Sequence, residues 1–180
     1  MNGAEGGTTL ARGSAVPPRP WLEVVVLGQP APQGSKKHVG KGVMVEMSKR
    51  LKPWRRAVAE YAAVAMAAAG HPAPLDGQIV AEMVFTVRAR PTGRPTWWPA
   101  GLPWSRRAWW LPASAPDLSK LIRATEDALT GVVWRDDARV VAYRCAAKVY
   151  IGQPGEPDAL PEPGAVIRVW EIPAATEEMP

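Results

Sequence analysis

Five acidic side chains lie within one short stretch of the sequence, residues 116–137. They are Asp117, Glu126, Asp127, Asp136 and Asp137. Each has an ordinary structural explanation, since Asp117 could cap a helix and the Asp136–Asp137 pair could form a polar turn. Carboxylates that meet at one point, however, repel one another unless a cation lies between them. Mg²⁺ is such a cation, because it binds a few carboxylates together with water and phosphate oxygens.

The spacing of these acids determines which of them could share a metal ion. Asp117 and Asp127 lie about 15 Å apart if both are on one helix, which is too far for them to bind the same metal ion. The eight residues from Leu129 to Asp137 can span up to about 26 Å, which is enough for the chain to return along the helix. We therefore expect Asp117 to meet Asp136 or Asp137 where the helix begins, around Mg²⁺ or a substituting Mn²⁺. Such an ion would bind a scissile phosphate and lower the pKa of the attacking water.

Three further side chains share one face of the same helix. Ser119, Arg123 and Asp127 follow one another at intervals of four residues, and this spacing places them in a row. Arg123 would lie one turn from the metal, where its charge could stabilise the phosphate.

The basic residues indicate a polyanionic partner. The formal net charge is +5 and the isoelectric point is near 9.7. The cations form three clusters, at 36–41, 49–56 and 88–107, with the acidic stretch separate from them. Solvated surface charge is the alternative, but this distribution favours a nucleic-acid surface. The candidate DNA contacts are Lys36, Lys37, Lys41, Arg55, Arg94, Arg106, Arg107 and Lys120.

The elements that must position these residues follow from hydrophobic periodicity and from the Pro and Gly positions. Helices are predicted from Pro53 to Gly70 and over 117–129. Strands are predicted over 21–27, 43–47, 77–88, 138–150 and 165–172, with the 77–88 strand buried on one face only. The order predicts an α+β domain, with a mixed or mostly antiparallel sheet and two main helices packed on it. We expect one domain at 20–173, with a disordered tail at 1–19 and a C-terminal tail at 174–180.

A long loop over residues 89–116 is rich in proline, arginine and tryptophan. Its tryptophans are Trp97, Trp98, Trp104, Trp109 and Trp110. They could stack on unpaired bases, form a dimer contact, or pack the loop on its own sheet. The pattern alone leaves these three alternatives open.

Other features narrow the class of protein. No apolar run reaches the roughly 20 residues that a membrane-spanning helix needs, and the N-terminus lacks the apolar core of a signal peptide. Cys145 is the single cysteine, so no internal disulfide can form. A reducing cytoplasm is the expected location.

The acidic stretch resembles the signature of the RusA family of Holliday-junction resolvases, approximately D-x-D-N-L-x-K-x-x-x-D-A-L-N-G followed by a hydrophobic stretch and D-D. Asp117 matches the first Asp, residues 127–129 match D-A-L, and Asp136–Asp137 match D-D. Residues 28–36 resemble the family's Pro/Gly-rich basic loop. Trp54 resembles its early-helix Trp, and Lys148 a Lys that closes the strand after D-D. The likeness covers roughly residues 22–150.

This resemblance implies a RusA-like fold and a homodimeric, Mg²⁺-dependent endonuclease that resolves four-way DNA junctions, often encoded by phages or prophages and acting in recombination and repair. It assigns the acidic metal ligands to Asp117 and Asp137, with Asp136 beside them. Two positions depart from the pattern. Ser119 replaces the second Asp, and its hydroxyl can ligate Mg²⁺ but brings no negative charge. Arg123 replaces a catalytic Lys, so that its role becomes electrostatic. A DNA-binding protein without catalysis is therefore an alternative, and a protein-interaction module built on the Trp-rich loop is another.

Overall fold

A mixed sheet with two helices on one face forms the centre of the protein. The computed structural model describes residues 9–11, 14–34, 36–38, 44–46, 49–105 and 110–173. The helices are α1 (Leu51–Ala68) and α2 (Leu118–Leu129). The strands are β1 (Thr9–Ala11), β2 (Ser14–Ala15), β3 (Leu22–Leu27), β4 (Lys36–His38), β5 (Met44–Glu46), β6 (Gln78–Arg88), β7 (Val140–Tyr150) and β8 (Gly164–Ile172).

The main sheet has the strand order β3-β8-β6-β7. β6 and β7 are parallel, and the other neighbouring pairs are antiparallel. This arrangement confirms the predicted α+β class with a mixed sheet and two helices. The parallel pair matters most for the site, because β6 and β7 end at the same edge of the sheet, at Arg88 and Tyr150.

Both helices pack on the sheet through apolar stripes at helical spacing. The buried stripe of α1 consists of Leu51, Trp54, Val58, Ala62 and Met66, and that of α2 consists of Leu121, Ala124, Thr125, Ala128 and Leu129. One buried hydrogen bond joins the two helices, from Trp54 Nε1 to Thr125 Oγ1 at 3.2 Å. Thr125 can stay in the helix because its hydroxyl also donates to the Leu121 carbonyl.

The prediction that the strand over 77–88 is buried on one face only is wrong. β6 is buried on both faces, and Val80 and Thr86, on the face away from the helices, are fully buried. The reason is that β6 lies between β8 and β7, and other segments cover its second face. Val16 packs there with Val80, Trp170 and Ile172, and the Leu160 amide donates to Thr86 Oγ1 at 3.0 Å.

Two short strands lie in the described part of the N-terminal segment. β1 and β2 pair as a short antiparallel ladder, and Val16 is buried against the sheet. β4 and β5 form a second ladder in the basic segment after β3. The C-terminal stretch 174–180 lies outside the described residues. No helix in the described part of the chain has the length and hydropathy needed to cross a bilayer.

Candidate active site

Asp117 lies at the N-terminus of α2 with its carboxylate exposed. Its backbone is extended there, and its side chain makes no capping hydrogen bond to the helix. The carboxylate instead faces cations, with Lys120 Nζ 2.7 Å from its Oδ2. The hydrogen bond and charge of Lys120 hold the pKa of Asp117 below its usual value, and Lys148 adds to this effect. Asp117 is therefore ionised at neutral pH and has no role in helix capping.

Lys148 ties the end of β7 to the segment that precedes Asp117. Its Nζ donates to the carbonyl oxygens of Ser114 and Pro116, both at 2.7 Å. Burial lowers the pKa of Lys148, the charge of Asp117 raises it, and the charge of Arg88 lowers it. Arg88, at the end of the neighbouring strand, donates to Ser114 Oγ. Two cations from parallel strands thus hold the chain where α2 begins.

Asp136 and Asp137 lie near the opposite end of α2. They belong to a short 3₁₀ turn, Asp137–Arg139, in which Asp136 accepts a hydrogen bond from the Ala138 amide at 2.8 Å. The charge of Asp137 contributes to raising the pKa of Tyr143, and the Tyr143 hydroxyl donates to Glu126 near the end of α2. β7 follows this turn at Val140.

The predicted meeting of Asp117 with Asp136 and Asp137 does not occur within one protomer. Lys148 is bonded to Pro116, beside Asp117, whereas Val140 follows the 3₁₀ turn. These two residues are eight positions apart in one strand, or about 26 Å. The carboxylate of Asp117 is therefore on the order of 20 Å from those of Asp136 and Asp137.

The chain fails to return along α2 because it is fixed immediately after the helix. The Gly131 amide donates to the Trp134 carbonyl at 2.7 Å, which closes a tight turn, and the Trp134 side chain is fully buried. Backbone hydrogen bonds from Leu75 to Val133 and from Arg135 to Leu75 then hold the segment beside the start of β6. The extended length of 129–137 set only an upper limit on the reach of this segment.

A metal site is incomplete in the single chain. Among the described residues, no group of three or more His, Cys, Asp or Glu side chains could hold a metal ion. The charged groups that act on the pKa of Asp117 are both lysines. One protomer by itself therefore does not fit a carboxylate-bound Mg²⁺ ion.

The predicted row on α2 is exposed at all three positions. Ser119 and Arg123 are exposed to solvent. Asp127 pairs instead with Arg55, and Arg55 also donates to Gln33 Oε1 at 2.8 Å. Arg55, predicted to contact DNA, therefore links α1 to α2 and to the segment after β3.

The other predicted DNA contacts lie in different parts of the protein. Lys120 pairs with Asp117, and Arg94 donates to the Pro99 carbonyl at 3.1 Å. Lys36 and Lys37 lie in β4. Lys41, Arg106 and Arg107 lie outside the described residues.

Arg88 and Arg50 were not among the predicted site residues. They line one groove together with Pro116, the residue before Asp117. Arg88 ends one predicted strand and Lys148 lies near the end of another. The parallel pairing of those strands, which the sequence did not reveal, is what places them together.

The Trp-rich loop packs largely on itself and on the end of β7. Trp110 is buried and donates from Nε1 to the Tyr150 hydroxyl at 3.2 Å. Trp98 and Trp104 contact it with ring centroids 5.4 Å and 6.3 Å away, and the Arg90 guanidinium lies 3.9 Å above its ring. Packing within the loop therefore accounts for Trp110, which is too buried to stack on a base.

Comparison with known proteins places these features in one family. A search of curated proteins found no match to the chain. The family model described as endodeoxyribonuclease RusA matches residues 28–156 of the 180. This range includes Asp117, the Asp136–Asp137 pair, Lys148 and both helices. The match covers well over half of the chain, and the protein therefore belongs to the RusA family of endodeoxyribonucleases.

Proposed function

We propose that this protein is a divalent-metal-dependent endonuclease that cleaves four-way or other branched DNA as a homodimer in the cytoplasm. The family acts on branched DNA junctions. The observation that carries the proposal is the state of Asp117, an exposed and ionised carboxylate that makes no capping bond to α2. An exposed, ionised carboxylate without a capping role can ligate a divalent metal ion, and the lysines near it can attract a phosphate.

RusA nucleases are generally divalent-metal dependent. We assign the oxygen ligands to Asp117, Asp136, Asp137 and the Ser119 hydroxyl, with Mg²⁺ as the ion and Mn²⁺ as a substitute. Because Asp117 is distant from the other two carboxylates in its own chain, we propose that the homodimer completes each site. Asp117 of one protomer would then lie beside Asp137 of the partner subunit. Arg123, exposed on α2, would supply positive charge to the phosphate.

A cleavage assay tests this function. Synthetic four-way junction, fork and linear duplex are incubated with the protein, with and without Mg²⁺. We expect Mg²⁺-dependent nicking of the junction, abolished by Asp117→Asn and by Asp137→Asn. Glu60→Gln is the control, because it removes an exposed carboxylate that pairs with Arg56 on α1. A linear duplex cut as readily as the junction would refute the junction claim and leave nuclease activity standing.

A second candidate is a DNA-binding protein that has lost most of its catalytic activity. Ser119 motivates it, since a hydroxyl brings no negative charge to a position where the family pattern has Asp. The described residues of one protomer also contain no cluster of three or more potential metal-binding side chains. This candidate predicts salt-sensitive junction binding without cleavage in Mg²⁺ or Mn²⁺. Ser119→Asp should then create or raise cleavage, and an unchanged rate would exclude Ser119 as the cause.

A further inference from the structure

A groove of about 400 Å³ leads along the protein surface to the residue before Asp117. The segment after β3, residues 29–32, forms one wall, and Ala115 with Pro116 forms the other. Val87 and Arg88, at the end of β6, lie between the walls, and Arg50 lines the same groove. A second hollow of about 460 Å³ shares Gln29 and Arg50 with it and adds Lys49. The two hollows therefore adjoin each other on the surface.

The walls of this groove are fixed before any ligand binds. Gln29 Nε2 donates to the Val87 carbonyl at 3.0 Å, and the Gln33 amide donates to the Lys120 carbonyl at 2.9 Å. Lys148 holds the opposite wall through the Pro116 carbonyl. Prolines supply much of both walls, and their backbone has little freedom to lose. A ligand would therefore bind without a large ordering cost.

The charge of the groove is positive. Among the described residues that line the two hollows there is no Asp or Glu. Arg50 is exposed and forms no salt bridge within the described part of the chain. Arg88 is exposed and gives a hydrogen bond to Ser114 Oγ, which leaves most of the five guanidinium donors available. Guanidinium groups bind phosphate with two parallel hydrogen bonds.

We propose that this groove binds the sugar-phosphate backbone of one DNA strand, with Arg50 and Arg88 each contacting a phosphate. The inference rests on the proposed function and identifies where the strand approaches Asp117. The proline walls suit the apolar faces of sugars and bases, and the arginines suit the phosphates. Because the groove reaches Pro116, a strand bound in it passes the carboxylate of Asp117. Backbone contacts of this kind position the substrate without reading its sequence.

Salt-dependent binding tests the proposal without requiring cleavage. The affinity of the full-length protein for a synthetic four-way junction is measured in EDTA at several salt concentrations. Each phosphate contact adds about 0.9 to the slope of log K against log salt. Arg50→Gln and Arg88→Gln should each reduce the magnitude of this negative slope by about 0.9, and the double variant should reduce it by about twice that. Arg144→Gln is the matched control, because this exposed arginine lies over the Trp170 ring on the sheet face away from the helices.

Each outcome is decisive. Ser114→Ala removes the contact with Arg88 and keeps the charge, so a wild-type slope in that variant excludes a loss caused only by a disturbed Ser114 contact. The proposed phosphate contacts would be contradicted if the magnitude of the slope fell equally in the control. They would also be contradicted if it stayed unchanged in the double variant while the protein still bound the junction. Wild-type protein that binds no DNA form would instead overturn the proposed function.

Discussion

Lys148 Nζ lies 2.7 Å from the carbonyl oxygen of Pro116, so the end of β7 is bonded to the residue that precedes Asp117. A second bond of the same length reaches the Ser114 carbonyl. The N-terminal end of α2, where Asp117 lies, is therefore held in place by a lysine 31 residues further along the chain. Lys120, by contrast, contacts the Asp117 carboxylate from within the helix itself.

Replacing Lys148 should cost stability as well as activity. Lys148→Met leaves two partly buried carbonyl groups without a donor, which costs about 1–3 kcal/mol in the free energy of unfolding. Lys120→Met removes only an exposed ion pair and should cost less than about 1 kcal/mol. Urea denaturation of both variants measures the difference. Equal costs would show that the Lys148 bonds do not hold the start of α2.

The stability of the protein should fall in acid partly through Asp158. The Arg168 guanidinium donates a hydrogen bond to Asp158 and holds the pKa of that carboxyl below its usual 3.8. Since the folded-state pKa is lowered, this contribution is fully present above about pH 5 and is lost as the pH falls through the lowered value. Asp158→Asn should therefore weaken the protein at neutral pH and flatten the decline in unfolding free energy below about pH 4.

Urea denaturation across a pH series measures this effect. Glu162→Gln is the control, because Glu162 is exposed and forms no salt bridge within the described residues. An acid decline as steep in Asp158→Asn as in the wild type would show that the Arg168 contact does not contribute.

The Trp-rich loop should depend on Trp110 for its structure. Trp110→Ala removes a buried ring, its bond to Tyr150 and its contact with Arg90. The expected cost is about 3–5 kcal/mol in the free energy of unfolding. Trp97→Ala should cost less, since Trp97 is only half-buried and contacts Trp98 at 5.9 Å. Denaturation curves that shift equally for both variants would contradict a loop organised around Trp110.

Local patterns predicted the helices well and the position of the acids poorly. The spacing of Trp54 and Val58, with Gly70 beyond, was sufficient for α1 because helical periodicity is a local property. Burial of β6 on both faces depends on its place between β8 and β7, which no local pattern contains. The alternation of Glu82 and Thr86 with apolar residues therefore predicted an exposed face that Val16 and Leu160 cover.

The candidate site likewise combines a residue that the local pattern predicts with positions that depend on the tertiary fold. Asp117 was identified by its residue type and spacing, and the structure adds that it makes no capping bond to α2. Its separation from Asp137 depends on the turn at Gly131 and on the burial of Trp134, which are tertiary features. Arg50 and Arg88 line one groove only because β6, α1 and the segment after β3 meet there.

Subunit mixing tests the proposed active site most directly. Asp117→Asn and Asp137→Asn proteins, each inactive alone, are co-expressed with different tags and assayed on a four-way junction in Mg²⁺. In a mixed dimer with sites shared between subunits, one site keeps both carboxylates and the other has neither. Random pairing should then restore nicking to about a quarter of the wild-type rate. Mixed dimers as inactive as their components, beside an active wild type, would contradict a site completed by the partner subunit.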